Sequence, residues 1–158
     1  MSEHVVYLVL LAIWVATHAI VGYTLGQFLF DRPWTGLVGG VAADFDLLFL
    51  DLFAWPFVHR GLTHTLVIGG LATAAVAIKG RKLALAFGVG YASQLLIDTT
   101  TPKGVPLLYP LSDTSYHVDL WTTGHSPGPT VAFWIGCLGL LWYYDYLPSP
   151  ERLSSLYR

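Results

Sequence analysis

Charged side chains are scarce in this chain of 158 residues: aspartate, glutamate, lysine and arginine together make up 11% of it. Hydrophobic residues make up 54%, and the mean hydropathy is +0.58, as is typical of an integral membrane protein. The formal net charge of -2 lacks the basic excess of a nucleic-acid-binding protein. We therefore expect a lipid bilayer around the chain and no nucleic-acid partner.

Cysteine is almost absent as well. The single Cys137 lies within an apolar run, so a disulfide framework and a thiolate metal cluster are excluded. The N-terminus lacks the basic stretch of a signal peptide, and the apolar run that follows is too long for one. We interpret that run as a retained helix.

Long apolar runs are what the sequence has instead. Residues 5–30 contain no formally charged side chain, which is enough to span a bilayer with tilt. Gly22 and Gly26 within this run have the spacing that lets two membrane helices approach closely. Four more apolar segments follow, at residues 34–57, 62–78, 83–97 and about 131–147. We predict an all-α fold, a polytopic integral membrane helical bundle of about five hydrophobic segments in a single domain, residues 1–158.

Basic residues indicate the orientation of such a bundle. If five segments alternate in direction, six basic residues fall on one side: Arg32, Lys79, Arg81, Lys82, Arg152 and Arg158. Arg60 and Lys103 fall on the other side. The positive-inside rule then predicts a multi-pass protein of the inner (plasma) membrane with an outside N-terminus.

The densest polar stretch of the chain is residues 59–64, which contain His59, Arg60 and His64. We predict that it is a turn in which Gly61 relieves backbone strain and Thr63 caps the next helix. On the orientation above, this stretch faces the non-cytoplasmic side.

Helix geometry places His64 and three other polar groups at similar depths. His18 and Asp46 each lie about 20 Å from the turn of the first helical hairpin. His64 and Asp98 each lie about 25 Å from the turn of the second. Asp44 and Asp46, two residues apart, would not share one face of a regular helix, so a common site requires a backbone break there.

Buried carboxylates need compensating positive charge. Asp44, Asp46 and Asp98 inside a membrane would cost on the order of 8–10 kcal/mol if uncompensated, and Arg60 is the one close cation. One or two divalent ions would supply the missing charge, and imidazole with carboxylate ligands suits Zn, Mn or Fe. Such ions activate water for hydrolysis, while Arg60 could hold an anionic oxygen of the substrate.

Taken singly, the same residues have simpler interpretations. His18 could be a hydrogen-bonding group between helices, the Asp-Phe-Asp sequence a capped turn, and residues 59–64 a solvated loop. His117 and His125 are interpreted as loop surface. Two other functions use the same residues: a transporter or ion permease with the acids as its pathway, and a catalytically inactive structural membrane protein.

Several motifs together resemble a known family. They are HRGLTHTL at residues 59–66, GYASQLLID at residues 90–98 and TPKGVPLLYP at residues 101–110, preceded by a Thr-His pair and the Asp-Phe-Asp sequence. Over residues 18–110 the chain resembles the YdjM-like inner-membrane proteins, described as LexA-regulated, membrane-bound metal-dependent hydrolases.

The resemblance implies a set of metal ligands: His18, Asp44, Asp46, His59, His64 and Asp98. We expect Arg60 and Asp46 to be catalytic. The family is also similar to zinc-dependent phospholipase C and to zinc nucleases. This similarity implies zinc as the first choice of divalent ion and a small-molecule or lipid phosphoester as the substrate.

The chain departs from the family pattern at two positions. Ala43 precedes Asp44 where the family has proline. Gln94 stands where the family has a histidine four residues before the aspartate, a spacing that puts both on one helical face. Either one metal position is weakened, or His117 or His125 supplies the missing ligand, or the activity is lost.

Overall fold

The computed structural model describes residues 3–49, 54–120, 122–144 and 146. These residues form five α helices: α1 Glu3–Phe30, α2 Pro33–Val41, α3 Leu66–Ala77, α4 Arg81–Thr99 and α5 Pro127–Tyr143. Two 3-10 helices, Ala43–Phe49 and Leu62–His64, lie between α2 and α3. Within the described ranges the remaining pairing is one isolated bridge between Val105 and Tyr116. The predicted all-α class is confirmed.

Within the described part of the chain, only α1 is long and apolar enough to cross a membrane. Helix α3 is apolar but shorter. The second predicted segment breaks where α2 ends, and α4 begins with basic residues and contains Gln94 and Asp98. The five-span bundle is therefore not confirmed. The last helix ends at Tyr143, and its predicted end at residue 147 lies outside the described residues.

Glycines bring α1, α2 and α4 into backbone contact. Gly22 and Gly26 of α1 face Gly36 and Gly40 of α2, and a Cβ on Gly26 would lie 2.8 Å from the Cα of Gly36. A Cβ on Gly90 of α4 would lie 2.8 Å from the backbone nitrogen of Gly40. Real Cβ atoms do not approach that closely, so these positions admit only glycine at this helix separation. The close approach predicted from the spacing of Gly22 and Gly26 is confirmed.

The backbone breaks just before the two neighbouring aspartates, as expected for a shared site. Helix α2 ends at Val41, and the 3-10 helix that follows carries Asp44 and Asp46. The Ala43 N–H donates to Oε1 of Gln94 on α4 at 3.1 Å, which satisfies a donor that the helix start leaves free. An apolar cluster packs beneath this turn and comprises Ala43, Phe87, Tyr91 and Leu95.

The helix α3 starts two residues later than predicted. Thr65 is its N-cap, since the Thr65 hydroxyl accepts from the Ile68 N–H at 3.2 Å. The predicted cap, Thr63, donates its hydroxyl to Asp46 at 2.6 Å instead. The cap assignment was wrong because Thr63 lies within a 3-10 helix, and the extended backbone from which α3 begins is at Thr65.

Candidate metal centre

The structure brings all of the predicted ligands to one place, from several separate elements. Helix α1 supplies His18, α4 supplies Asp98, and the 3-10 helix after α2 supplies both neighbouring aspartates. The residues that meet there are His18, Asp44, Asp46, His59, His64 and Asp98, and His125 from the loop before α5 joins them. The matched depths of His18 with Asp46, and of His64 with Asp98, therefore predicted that these side chains, far apart in sequence, would converge.

The Asp98 carboxylate is the centre of this cluster, and its side chain is 2% exposed. Its Oδ1 lies 3.6 Å from Nε2 of His18 and 3.3 Å from Nε2 of His125. Its Oδ2 lies 3.4 Å from Nε2 of His64. The two oxygens of one carboxylate thus face two different groups of side chains.

The first group consists of His18, Asp98 and His125, whose ligand atoms all lie within 4.8 Å of one another. The indole ring of Trp14 stacks on His125 with 4.9 Å between ring centroids, and its N–H donates to the His125 carbonyl oxygen at 3.1 Å. Burial lowers the pKa of His125 to about 4. The imidazole is therefore neutral near pH 7, and its Nδ1 lies 3.3 Å from Nη2 of Arg60.

The second group consists of Asp44, His59 and His64, and its ligand atoms also lie within 4.8 Å of one another. Oδ1 of Asp44 lies 3.5 Å from Nε2 of His64, the same nitrogen that faces Asp98. His64 is fully buried. This nitrogen is the point at which the second group approaches the central carboxylate.

Asp46 lies behind the two histidines of the second group. One of its oxygens lies 2.9 Å from Nδ1 of His59, and the other lies 3.4 Å from Nδ1 of His64. The Thr63 hydroxyl and the Arg60 backbone N–H also donate to this carboxylate. A carboxylate at the second nitrogen of a ligand histidine fixes the tautomer and the direction of the ring. The geometry favours that role for Asp46 over direct ligation.

Arg60 is buried and already engaged. Its Nη2 donates to Oδ1 of Asp98 at 2.9 Å, and its Nη1 donates to the hydroxyl of Thr101. Its φ of 63° lies in the left-handed region, which is uncommon for a residue other than glycine. Gly61, at φ -100°, needs no such freedom, but a Cβ there would lie 2.8 Å from a backbone carbonyl oxygen. The predicted strain therefore falls on Arg60, and Gly61 is required for close approach.

The donor set fits a divalent cation. Nε2 of His64 and Oδ2 of Asp98 are buried, lie 3.4 Å apart and make no hydrogen bond. A buried polar atom without a partner is costly, and a metal ion would satisfy both atoms at once. Imidazole nitrogens with carboxylate oxygens are the ligands that zinc accepts. Arg60 alone offsets little of the charge of the three carboxylates.

Gln94 and His117 lie outside this donor set. The Oε1 of Gln94 is occupied by the Ala43 N–H, and its Nε2, which can only donate, makes no hydrogen bond. His117 is exposed on the loop between α4 and α5. Of the two histidines that could compensate for Gln94, His125 is the one placed against Asp98.

A cavity of about 380 Å³ opens beside the centre. His18, Asp98 and His125 line it, and so does Lys103, whose ammonium donates to the His59 carbonyl oxygen at 3.0 Å. Burial, and then the charge of Arg60, lower the pKa of Lys103. Neither Lys103 nor Trp14 was assigned a catalytic or binding role from the sequence. The spacing of Trp14 four residues before His18 on one helical face was the available signal for Trp14.

Fold and site together define a helical protein that has one candidate membrane-spanning helix among its described residues, with histidines and aspartates gathered around one buried carboxylate. The sequence matches the YdjM inner membrane protein family over residues 13–154. The chain therefore belongs to that family, and the resemblance seen in its motifs is confirmed. Searches of curated proteins and of solved structures found no match.

Proposed function

We propose that this protein is a metal-dependent hydrolase of the inner membrane that cleaves phosphoester bonds, with one divalent cation in each of the two groups. The observation that carries the proposal is the Asp98 carboxylate, whose two oxygens face the histidines of the two groups. Two cations sharing a carboxylate are a recurring arrangement for displacement at phosphorus. Zinc suits the imidazole-rich donors best, and manganese or iron also accept them.

Each residue has a distinct task in this proposal. When bound, the cations supply Lewis acidity and an activated water. His18, Asp98 and His125 would hold one cation. Asp44, His59 and His64 would hold the other. Asp46 keeps the rings of its two histidines in place and is proposed to tune their basicity rather than to touch the substrate.

The positive side chains of the cavity are proposed to receive the phosphate. Arg60 and Lys103 both line it, and guanidinium and ammonium groups donate to phosphate oxygens. Arg60 now donates to Asp98, and a cation on that carboxylate would compete for the same oxygen. The guanidinium would then be free to turn toward the substrate.

Convergence around one carboxylate supports a hydrolase more than a transporter. A pathway through the membrane needs polar groups at successive depths. Here the ionisable groups of the site contact one another. We also propose that the centre faces the non-cytoplasmic side in a multi-pass topology, as the distribution of basic residues predicts.

The decisive experiment is elemental analysis of protein purified in mild detergent without chelators. Wild type is expected to contain two equivalents of Zn, Mn or Fe, and Asp98→Asn neither. His18→Ala and His64→Ala should each lose one equivalent, from different groups. The matched control is the exposed His117→Ala, which should retain both. Wild type that is metal-free and takes up none of these added ions would refute the proposal.

Catalysis needs its own assay. The metal-loaded protein should hydrolyse a chromogenic nitrophenyl phosphoester, and Asp98→Asn should not. A protein that binds two ions yet cleaves no phosphoester would favour the inactive structural interpretation.

A further inference from the structure

The cavity beside the metal centre has two unlike walls. One wall carries the polar groups of the centre with the positive charges of Arg60 and Lys103. The other wall is apolar and belongs to α1: Tyr7, Leu11, Trp14 and Val15. Phosphate chemistry alone gives no reason for the second wall.

The apolar wall forms one stripe along α1. Positions 7, 11, 14 and 15 lie on the helical face that ends at His18, because residues three and four apart stack on one side of a helix. From His18 to Tyr7 this face runs for about 16 Å. It therefore leads from the metal centre toward the N-terminal end of α1.

The far end of the stripe reaches the surface of the helix that can cross the membrane. Tyr7 is 46% exposed, and the other side chains of residues 5–10 are exposed and apolar as well. A row of exposed apolar side chains on a membrane helix faces lipid. The cavity thus connects a charged, phosphate-type site with the lipid phase.

We propose that the substrate is a membrane lipid with a phosphoester headgroup. The phosphate lies beside Arg60 and Lys103 at the metal centre. The acyl chain lies along Leu11, Trp14 and Val15 toward Tyr7. This inference rests on the proposed phosphoester hydrolysis and adds the substrate class. Asp44 and Asp98 on the polar wall balance Arg60 and Lys103, so the cations of the proposed centre would supply the excess positive charge that a phosphate needs. The stripe gives the acyl chain a path that a water-soluble phosphoester does not use.

Lipid binding can be tested separately from turnover by photo-crosslinking. The probe is a phosphonate analogue of phosphatidic acid, whose C–P bond is not hydrolysed, with a diazirine in the middle of one acyl chain, added to the zinc-loaded protein in detergent micelles. After irradiation, labelled positions are mapped by mass spectrometry. Label on Leu11, Trp14 and Val15 should saturate with probe concentration, and excess dioleoylphosphatidic acid should displace it at least tenfold better than dioleoylglycerol does.

The outward-facing residues of α1 are the internal control. Label on Leu10 and Ile13 should rise in proportion to the probe and resist competition, as expected for bulk lipid. Lys103→Gln should weaken the saturable label several-fold and leave the label on Leu10 unchanged. Equal, non-saturating label on both faces, or equal displacement by the phosphate-free lipid, would overturn the inference.

Chain-length dependence tests the same inference in catalysis. With dihexanoyl and dioleoyl forms of one phospholipid headgroup, Leu11→Trp should lower the preference for the long chain about tenfold. The matched substitution Leu10→Trp, one position along the same helix and outside the cavity, should leave this preference unchanged. Loss of the short- and long-chain activities in equal proportion in Leu11→Trp would overturn the lipid assignment. Absence of all phosphoester hydrolysis alongside saturable crosslinking would refute the proposed hydrolase while leaving a lipid-binding site.

Discussion

The two halves of α1 are built on opposite principles. In the C-terminal half, Gly22 and Gly26 let the backbone of α2 approach until no side chain fits between the helices. Toward the N-terminal end, the side chains of Trp14 and His18 contact His125 beside an open cavity. Backbone contact permits one separation, whereas the polar side leaves buried atoms unpaired. The glycine contact fixes the distance between α1 and α2, whereas the polar end of α1 can bind a ligand.

Overpacking the glycine contact should have the largest effect. A Cβ on Gly36 would lie 2.7 Å from the Cα of Gly26, and the backbone cannot yield locally. We expect Gly36→Ala to lower the free energy of unfolding by about 3 kcal/mol, at the upper end of overpacking costs. Thermal unfolding in detergent measures it as a fall in Tm.

The control for this prediction is a glycine with open space around it. A Cβ on Gly70 of α3 would meet nothing within 4 Å. Gly70→Ala should raise stability by about 1 kcal/mol, because alanine has the higher helix propensity. Equal effects of both substitutions would show that the backbone contact between α1 and α2 is not as tight as described.

Metal removal should destabilise the metal centre and leave the glycine contact between α1 and α2 unchanged. A ligand present at one hundred times its Kd stabilises a protein by about 2.7 kcal/mol. We therefore expect chelator to lower the Tm of wild type and added zinc to restore it. Gly70→Ala should keep this shift, and Asp98→Asn should lack it. A chelator shift that survives in Asp98→Asn would place the cation elsewhere.

A smaller effect is expected at the carboxylate behind the histidines. Asp46→Asn keeps the size of the side chain but cannot accept equally from both Nδ1 groups. Losing such support typically weakens metal binding by about tenfold to a hundredfold. Competition with a zinc-binding dye measures the change, and the exposed Asp31→Asn is the matched control. Complete loss of one metal equivalent would instead make Asp46 a direct ligand, as the family resemblance implies.

The convergence of the site residues was predictable because the rise of a helix is constant. Counting from a hairpin turn placed His18 at the depth of Asp46, and His64 at the depth of Asp98. The different positions of Asp44 and Asp46 were not predictable. They depend on the 3-10 helix, which turns 120° per residue and sets the two carboxylates on opposite edges of the His64 ring.

Two other features could not be settled from the sequence, for physical reasons. His125 lies on a long loop, and no periodicity in the sequence encodes the path of a loop. The five predicted spans are not confirmed, and average hydropathy does not register a backbone break such as the one after α2. Residues 34–57 are largely apolar, yet α2 ends at Val41, directly after Gly39 and Gly40, which contact the backbones of α4 and α1.

The smallest effect is expected at Gln94, which joins α4 to the start of the 3-10 helix that carries Asp44 and Asp46. Its Oε1 accepts from the Ala43 N–H, so Gln94→Met would leave that donor unpaired and cost about 1–2 kcal/mol of unfolding free energy. Metal content at saturating zinc should not change, because the oxygen is already occupied. Gln27→Met, which removes a surface hydrogen bond to Asp31, should cost less than about 0.5 kcal/mol. If Gln94→Met lost a metal equivalent at unchanged stability, Gln94 would be the ligand that replaces the histidine of the family, and His125 would be left to packing against Trp14.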